Sequence, residues 1–314
     1  MLKRQIFAVR RFDVGALANA RHWVRCRTDG ARPMPHRSPM KHSSLSLSII
    51  GAVLAGAMTL SAHGETIPDG LAQAPGEAPL TAAFRLEVSP SLQLPPEERA
   101  AYAARLQASI DAAQLPPAPA QYILLVDRSA SVQAALLYWG SVAQGWDLVG
   151  ATPVSTGLPG RYEHFTTPLG VYQHSMSNPD FRAEGTKNKL GFRGYGVKGM
   201  RVYDFGWVEA PRGWGNRAMG VLRLQMHATD PVLAEPRLGT AQSEGCVRIP
   251  AALNAFIDRH GLLDAAYEEA ANGGARLWVL RADRVPTPDA GRYLVVVDSE
   301  RTERPAWSPL PAKR

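Results

Sequence analysis

From Tyr122 onward the chain breaks into short runs of apolar, β-branched and aromatic residues separated by Gly, Pro and polar turns. This punctuation limits the fold more than any other feature. Strand-length runs fall at Tyr122–Val126, Val132–Trp139, Trp146–Thr156, Met200–Val208, Ala218–Met226, Arg276–Arg281 and Arg292–Val297, and Phe84–Val88 reads as a further short strand. Two stretches read as helices. In Glu97–Ala113, Tyr102, Leu106, Ile110 and Ala113 share one helical face behind a Pro-Pro start, and Ala251–Ala271 runs to a Gly273-Gly274 stop. With 28 Gly and 25 Pro, the chain favours a turn-rich scaffold over a helical bundle. The expected class is mainly β with flanking helices (α+β), without internal repeats.

The formal charge of +7 is not spread evenly. Residues 1–64 hold ten of the 35 Lys/Arg and two of the 28 Asp/Glu, which leaves 25 basic and 26 acidic residues from Glu65 onward. A basic balance confined to a leader gives no reason to expect a nucleic-acid partner. Lys41 and His42 precede the apolar run Leu45–Ala62, which ends in small residues: the charged start, apolar middle and small-residue end of a secretory signal peptide. The competing reading is an uncleaved anchor, because about 18 apolar residues is the lower limit for a span. The chain then divides into a basic leader (1–39, an upstream extension of the reading frame or a long basic n-region), a signal peptide (40–64), a Pro-rich segment with one docking helix (65–120), a main domain (121–284), and a final strand with a loose Pro-rich tail (285–314). The expected location is periplasmic or cell-envelope. The protein is expected to be a monomer that touches membrane only through the leader, if that is uncleaved.

Two cysteines are present, Cys26 and Cys246. Cys26 sits in the leader, so processing would leave Cys246 as a single thiol. The polar flanks of Cys246 (Ser243, Glu244, Gly245 and Arg248) suit a reactive position better than a core one. Upstream, Val221, Arg223 and Gln225 alternate with larger apolar residues in a strand-like run that delivers His227. A loop rich in Pro, Gly and Thr leads from there to Ser243-Glu244-Gly245-Cys246-Val247-Arg248. A cysteine at such a junction, with an imidazole brought alongside as base, is the arrangement of a thiol nucleophile.

This stretch resembles the active-site signature of the L,D-transpeptidase (YkuD-type) family: a histidine at a strand end, a loop, then Ser-His-Gly-Cys, a hydrophobic residue and Arg or Asn. Ser243, Gly245, Cys246, Val247 and Arg248 match, and His227 takes the upstream position. Glu244 stands where the family usually has histidine, and the interval from His227 to Ser243 is slightly shorter, so the chain looks like a divergent member. Ser155-Thr156-Gly157 followed by Thr167-Pro168-Leu169-Gly170 resembles a second recurring feature, and the likeness extends over about Tyr122–Arg281.

The resemblance implies a β-sandwich or flattened barrel in which residues 121–284 are catalytic, acting on peptidoglycan stem peptides by acyl transfer without a cofactor. It implies Cys246 as nucleophile, His227 as base, backbone N–H groups of Glu244, Gly245 and Cys246 around the oxyanion, and Ser243 bracing the loop. Arg248 would orient that loop or meet a substrate carboxylate. His164 and His174, flanking the Thr-Pro-Leu-Gly strand, are further candidates for lining the groove, and His260 reads as a surface or capping residue. The polar, basic-leaning segment Ser177–Gly199 is either a lid over the groove or a solvated loop. No CxxC, HExxH or paired-His pattern occurs, so no metal is expected. Hydrolysis with water as acceptor, and a non-catalytic wall-binding domain, are the alternative readings.

Overall fold

The computed structural model describes residues 78–311. The leader, the signal peptide and Cys26 lie outside the described residues. Among those described, four α-helices, α1 (Thr81–Glu87), α2 (Pro96–Ala112), α3 (Ala251–His260) and α4 (Ala265–Asn272), flank nine strands. In chain order the strands are β1 (Gln121–Asp127), β2 (Ala134–Ser141), β3 (Gly145–Pro153), β4 (Gly170–Gln173), β5 (Phe181–Arg182), β6 (Arg201–Pro211), β7 (Met219–His227), β8 (Val247–Arg248) and β9 (Tyr293–Val297). They form two sheets, ordered β3-β2-β1-β9-β4 and β5-β6-β7-β8. The molecule is therefore mixed α+β and mainly strand. No helix among the described residues is long and apolar enough to cross a membrane.

The sequence of β1 explains why the first sheet sits in the middle. Tyr122, Leu124 and Val126 face a core shared with Tyr203, Phe205, Leu224, Met226 and Val247 of the second sheet. Ile123 and Leu125 face the other way, onto Tyr102, Leu106 and Ile110 of α2. A strand buried on both faces is apolar at successive positions rather than at alternate ones. Each large side chain moved out of water this way contributes roughly 1.5–3 kcal/mol. Pro96 opens α2, and Glu97 and Glu98 in its first turn complement the helix dipole.

Four expectations are corrected. Phe84–Val88 is the end of helix α1 and its cap rather than a strand: Phe84 and Val88 lie four apart on one buried face, while Leu86 between them is exposed. Five residues with apolar ends fit either period. Ala251–Ala271 is two helices, because Gly261 takes a left-handed conformation (φ 59°) and closes α3 by donating its N–H to the Ile257 carbonyl. Arg276–Arg281 forms no strand; Val279 is buried, whereas Trp278 projects into solvent. The tail is pinned rather than loose. The Trp307 ring meets Tyr102 edge-on at 5.8 Å, the Ser308 hydroxyl donates to the Val132 carbonyl at 2.7 Å, and Arg304 donates to the carbonyls of Ala130 and Gly239. β9 lies between β1 and β4, so the boundary at 284/285 divides a single sheet.

Candidate active site

The outer face of the second sheet is built by alternation. Leu222, Leu224 and Met226 of β7 point into the core, which leaves Arg223, Gln225 and His227 on the opposite face. β8 pairs with β7 in parallel, Met226 with Val247 and His227 with Arg248. Partners in a parallel ladder project to the same side, so with Val247 in the core, Cys246 and Arg248 share a face with His227. One step back in that register puts Cys246 beside Gln225, and its Sγ lies 3.7 Å from the Arg223 carbonyl oxygen. The interval from His227 to Cys246 is thus closed by strand pairing that local sequence does not reveal.

The loop Ser243–Arg248 is held from both sides. Ser155 bridges to Arg248, and Gly157 to Ser243, so the Ser-Thr-Gly turn after β3 runs along the loop. Gly157 must be glycine: a Cβ there would stand 2.0 Å from the Phe165 carbonyl oxygen and 3.1 Å from Cα of Gly245. Gly245 has φ 131° and presses on Leu222. Thr167 ties both glycines together, since its buried hydroxyl donates to the Gly245 carbonyl at 2.7 Å and accepts the Gly157 N–H at 2.8 Å. Ser243 braces the loop in the expected way, its hydroxyl donating to the Cys246 carbonyl at 2.5 Å. The same oxygen accepts the Gly245 N–H at 3.1 Å, so that group is engaged within the loop.

His227 is 3 % exposed and Cys246 1 % exposed. The Nδ1–H of His227 donates to the Ala228 carbonyl at 2.6 Å, which leaves the Nε2 lone pair as the basic one. Burial pushes this imidazole down to about 3; the Ala228 carbonyl opposes the shift and the Arg248 charge adds to it. Arg248 has its own affinity for the proton lowered by burial, with the Glu244 carboxylate working the other way. Its guanidinium lies 5.6 Å from the Phe192 ring, and its Nε is buried without a hydrogen-bond partner. An under-satisfied buried guanidinium is suited to receive a carboxylate.

In this structure the Cys246 sulfur is disulfide-bonded. Thiol chemistry at this position belongs to the reduced form.

The segment 183–199 covers His227 and lies against Arg248. Tyr195 meets the His227 ring edge-on at 4.7 Å, Phe192 lies against Arg248, and Gly196 fits against Ala228. The Arg193 N–H donates to Asp230, whose carboxylate also accepts the N–H groups of Val232 and Leu233. Burial works against that charge, but these N–H groups outweigh it and hold the Asp230 carboxyl below the ordinary range.

The other candidates separate. His164 stays at the site: its Nδ1 is 3.1 Å from the Leu158 carbonyl, and the next residue, Phe165, donates its N–H to the Glu244 carbonyl. His174 does not. It is fully buried, with Nδ1 on the Leu263 carbonyl at 2.8 Å and Nε2 on the Asp180 carboxylate at 2.9 Å. Burial alone would lower its pKa, but Asp180 outweighs that and raises it; with both ring nitrogens held by acceptors, the ring serves the core rather than the groove. Asp180 and Asp264 also share the buried Arg201, at 2.7 Å each. His174, Asp180 and Asp264 have ligand atoms close enough together for a metal ion, but Arg201 already supplies the positive charge between the two carboxylates. His260 is buried against Phe256 rather than on the surface.

Sequence reasoning did not single out Thr167, Tyr195 or Gln225. Thr167 stands in a motif that was visible and Gln225 in an alternating run, whereas Tyr195 carries no local signal. No protein-family model matches this chain, and a search of curated proteins also finds no match.

Proposed function

We propose that the chain is a cysteine acyltransferase of the L,D-transpeptidase type, acting in the cell envelope on peptidoglycan stem peptides through a thioester on Cys246. The observation that carries the reading is the β7–β8 register, which sets Cys246, His227 and Arg248 on one face beneath a covering segment. In the reduced form, Nε2 of neutral His227 takes the thiol proton and the sulfur attacks a peptide carbonyl. The departing amine takes that proton back from the imidazolium. An acceptor amine then attacks the thioester and regenerates the thiol. With the Gly245 N–H engaged by Ser243, the backbone N–H groups of Glu244 and Cys246 are the donors assigned to the oxyanion. Arg248 receives a substrate carboxylate, and His164 lines the approach. The two-sheet architecture accords with the sandwich or flattened barrel that the resemblance implies.

Water as acceptor, giving an L,D-carboxypeptidase, is the second reading, and Glu244 in place of histidine favours it. Incubation of the reduced full-length chain with a carbapenem, read by intact mass, tests the nucleophile. A stoichiometric mass increase is expected, absent in Cys246→Ala and slowed at least a hundredfold in His227→Ala. An unmodified wild-type chain under reducing conditions would leave a non-catalytic binding domain as the better reading. Muropeptide products with and without an amine acceptor separate transfer from hydrolysis.

A further inference from the structure

We propose that Gln225 is a positioning residue that governs admission to Cys246, by latching Tyr195 of the covering segment to the strand beside the sulfur. The inference deepens the reading above, resting on Cys246 as the reactive group. Gln225 is buried, and it occupies the β7 position in register with Cys246. The two ends of its amide are held by different parts of the molecule. Nε2 donates to the Asp204 carboxylate at 2.9 Å, and Oε1 accepts the Tyr195 hydroxyl at 2.8 Å.

Asp204 is itself fixed. The carboxylate oxygen that takes Gln225 also takes Arg223 Nε at 2.7 Å, and the other accepts the Gly206 N–H at 2.8 Å. This lies within the β-bulge between Asp204 and Trp207, where Gly206 has φ 84°. A flipped amide would press its carbonyl against a carboxylate, so the orientation is set from below and the oxygen faces Tyr195. The Tyr195 ring, brought down by that bond, closes over His227. Of the other attachments of the segment, Arg193 to Asp230 and Gly196 to Ala228 end beyond β7 and Phe192 lies against Arg248 of β8; the Tyr195 bond ends on the β7 neighbour of the sulfur. Breaking it frees the Tyr195 end of the segment, beside Cys246, while the remaining anchors stay in place.

The test is the rate at which iodoacetamide alkylates Cys246 in the reduced full-length chain, read on the Cys246 peptide by mass spectrometry across a range of pH. Tyr195→Phe keeps the ring and removes the hydroxyl, and Gln225→Ala removes the acceptor. Each should speed alkylation about fivefold, the effect of one net hydrogen bond on an opening equilibrium. The pH midpoint should not move, and Tyr162→Phe, an exposed tyrosine off the segment, should alkylate at the wild-type rate. The double variant should be no faster than the quicker single one, because both remove the same bond. A Tyr195→Phe rate within twofold of wild type, or additive effects in the double variant, would overturn the proposal. Alkylation that responds as stated in a chain inert to carbapenem would refute the transpeptidase reading and leave the latch standing.

Discussion

Thr167→Val isolates what holds the loop Ser243–Arg248. Valine replaces the hydroxyl with a methyl of similar size, so the cavity is unchanged and the loss is polar. Two hydrogen bonds disappear, the one donated to the Gly245 carbonyl at 2.7 Å and the one accepted from the Gly157 N–H at 2.8 Å. Each is worth about 1 kcal/mol net, and each buried partner left unsatisfied costs about 1–3 kcal/mol in its own right. Because backbone relaxation recovers part of this, the expected destabilisation is about 3 kcal/mol. At roughly 2–4 °C per kcal/mol for a fold of this size, the melting temperature should drop by about 6–12 °C. Thr167→Ser is the comparison: it keeps both bonds and gives up one buried methyl, about 1 kcal/mol. Thermal and urea unfolding of the three chains settle the order. If the valine chain proves as stable as the serine chain, the hydroxyl is not what joins the two glycine turns, and the account of the loop fails.

His227 gives a pH dependence whose sign follows from burial. Its folded pKa is depressed to about 3 from 6.5, so the stability linked to its neutral form is complete above about 6.5 and is lost as pH falls toward 3. Urea midpoints of wild type and His227→Gln should therefore converge on acidification, by up to about 1.4 kcal/mol per pH unit; parallel curves would contradict the assignment. Arg201→Met should cost about 3–5 kcal/mol at neutral pH, since it leaves Asp180 and Asp264 without the cation that bridges them. The deficit should shrink at pH 5, where the carboxylates accept protons more readily, and unfolding curves at the two pH values check this.

The legible parts of the fold are those whose pattern is local. The alternation of β7 foretold both its core face and the line Arg223, Gln225, His227, and the Pro-Pro start foretold α2. What escaped depends on contacts distant in sequence. Gly261 ends α3 through a left-handed turn that an isolated glycine in a helical pattern does not announce. Trp278 gave Arg276–Arg281 a strand-like look, yet the residue faces solvent. His174 sits beside a recognisable motif, but its destination was decided by Asp180 and Leu263 from other elements. Within the site, Ser243, Cys246 and His227 stand in a readable signature. Tyr195 and Gln225 meet only because the covering segment crosses β7, an encounter that no spacing encodes.

The placement of β9 has a consequence for how such a chain is made. Ile123 pairs with Tyr293 and Val126 with Val296, so the strand that joins β1 to β4 is synthesised after nearly everything else. Until it emerges, the growing chain holds β1 with one open edge and β4 with no neighbour in the sheet, and closure requires ends far apart along the backbone to find each other. The first sheet of such a polypeptide stays open until β9 emerges, so its native order is acquired late.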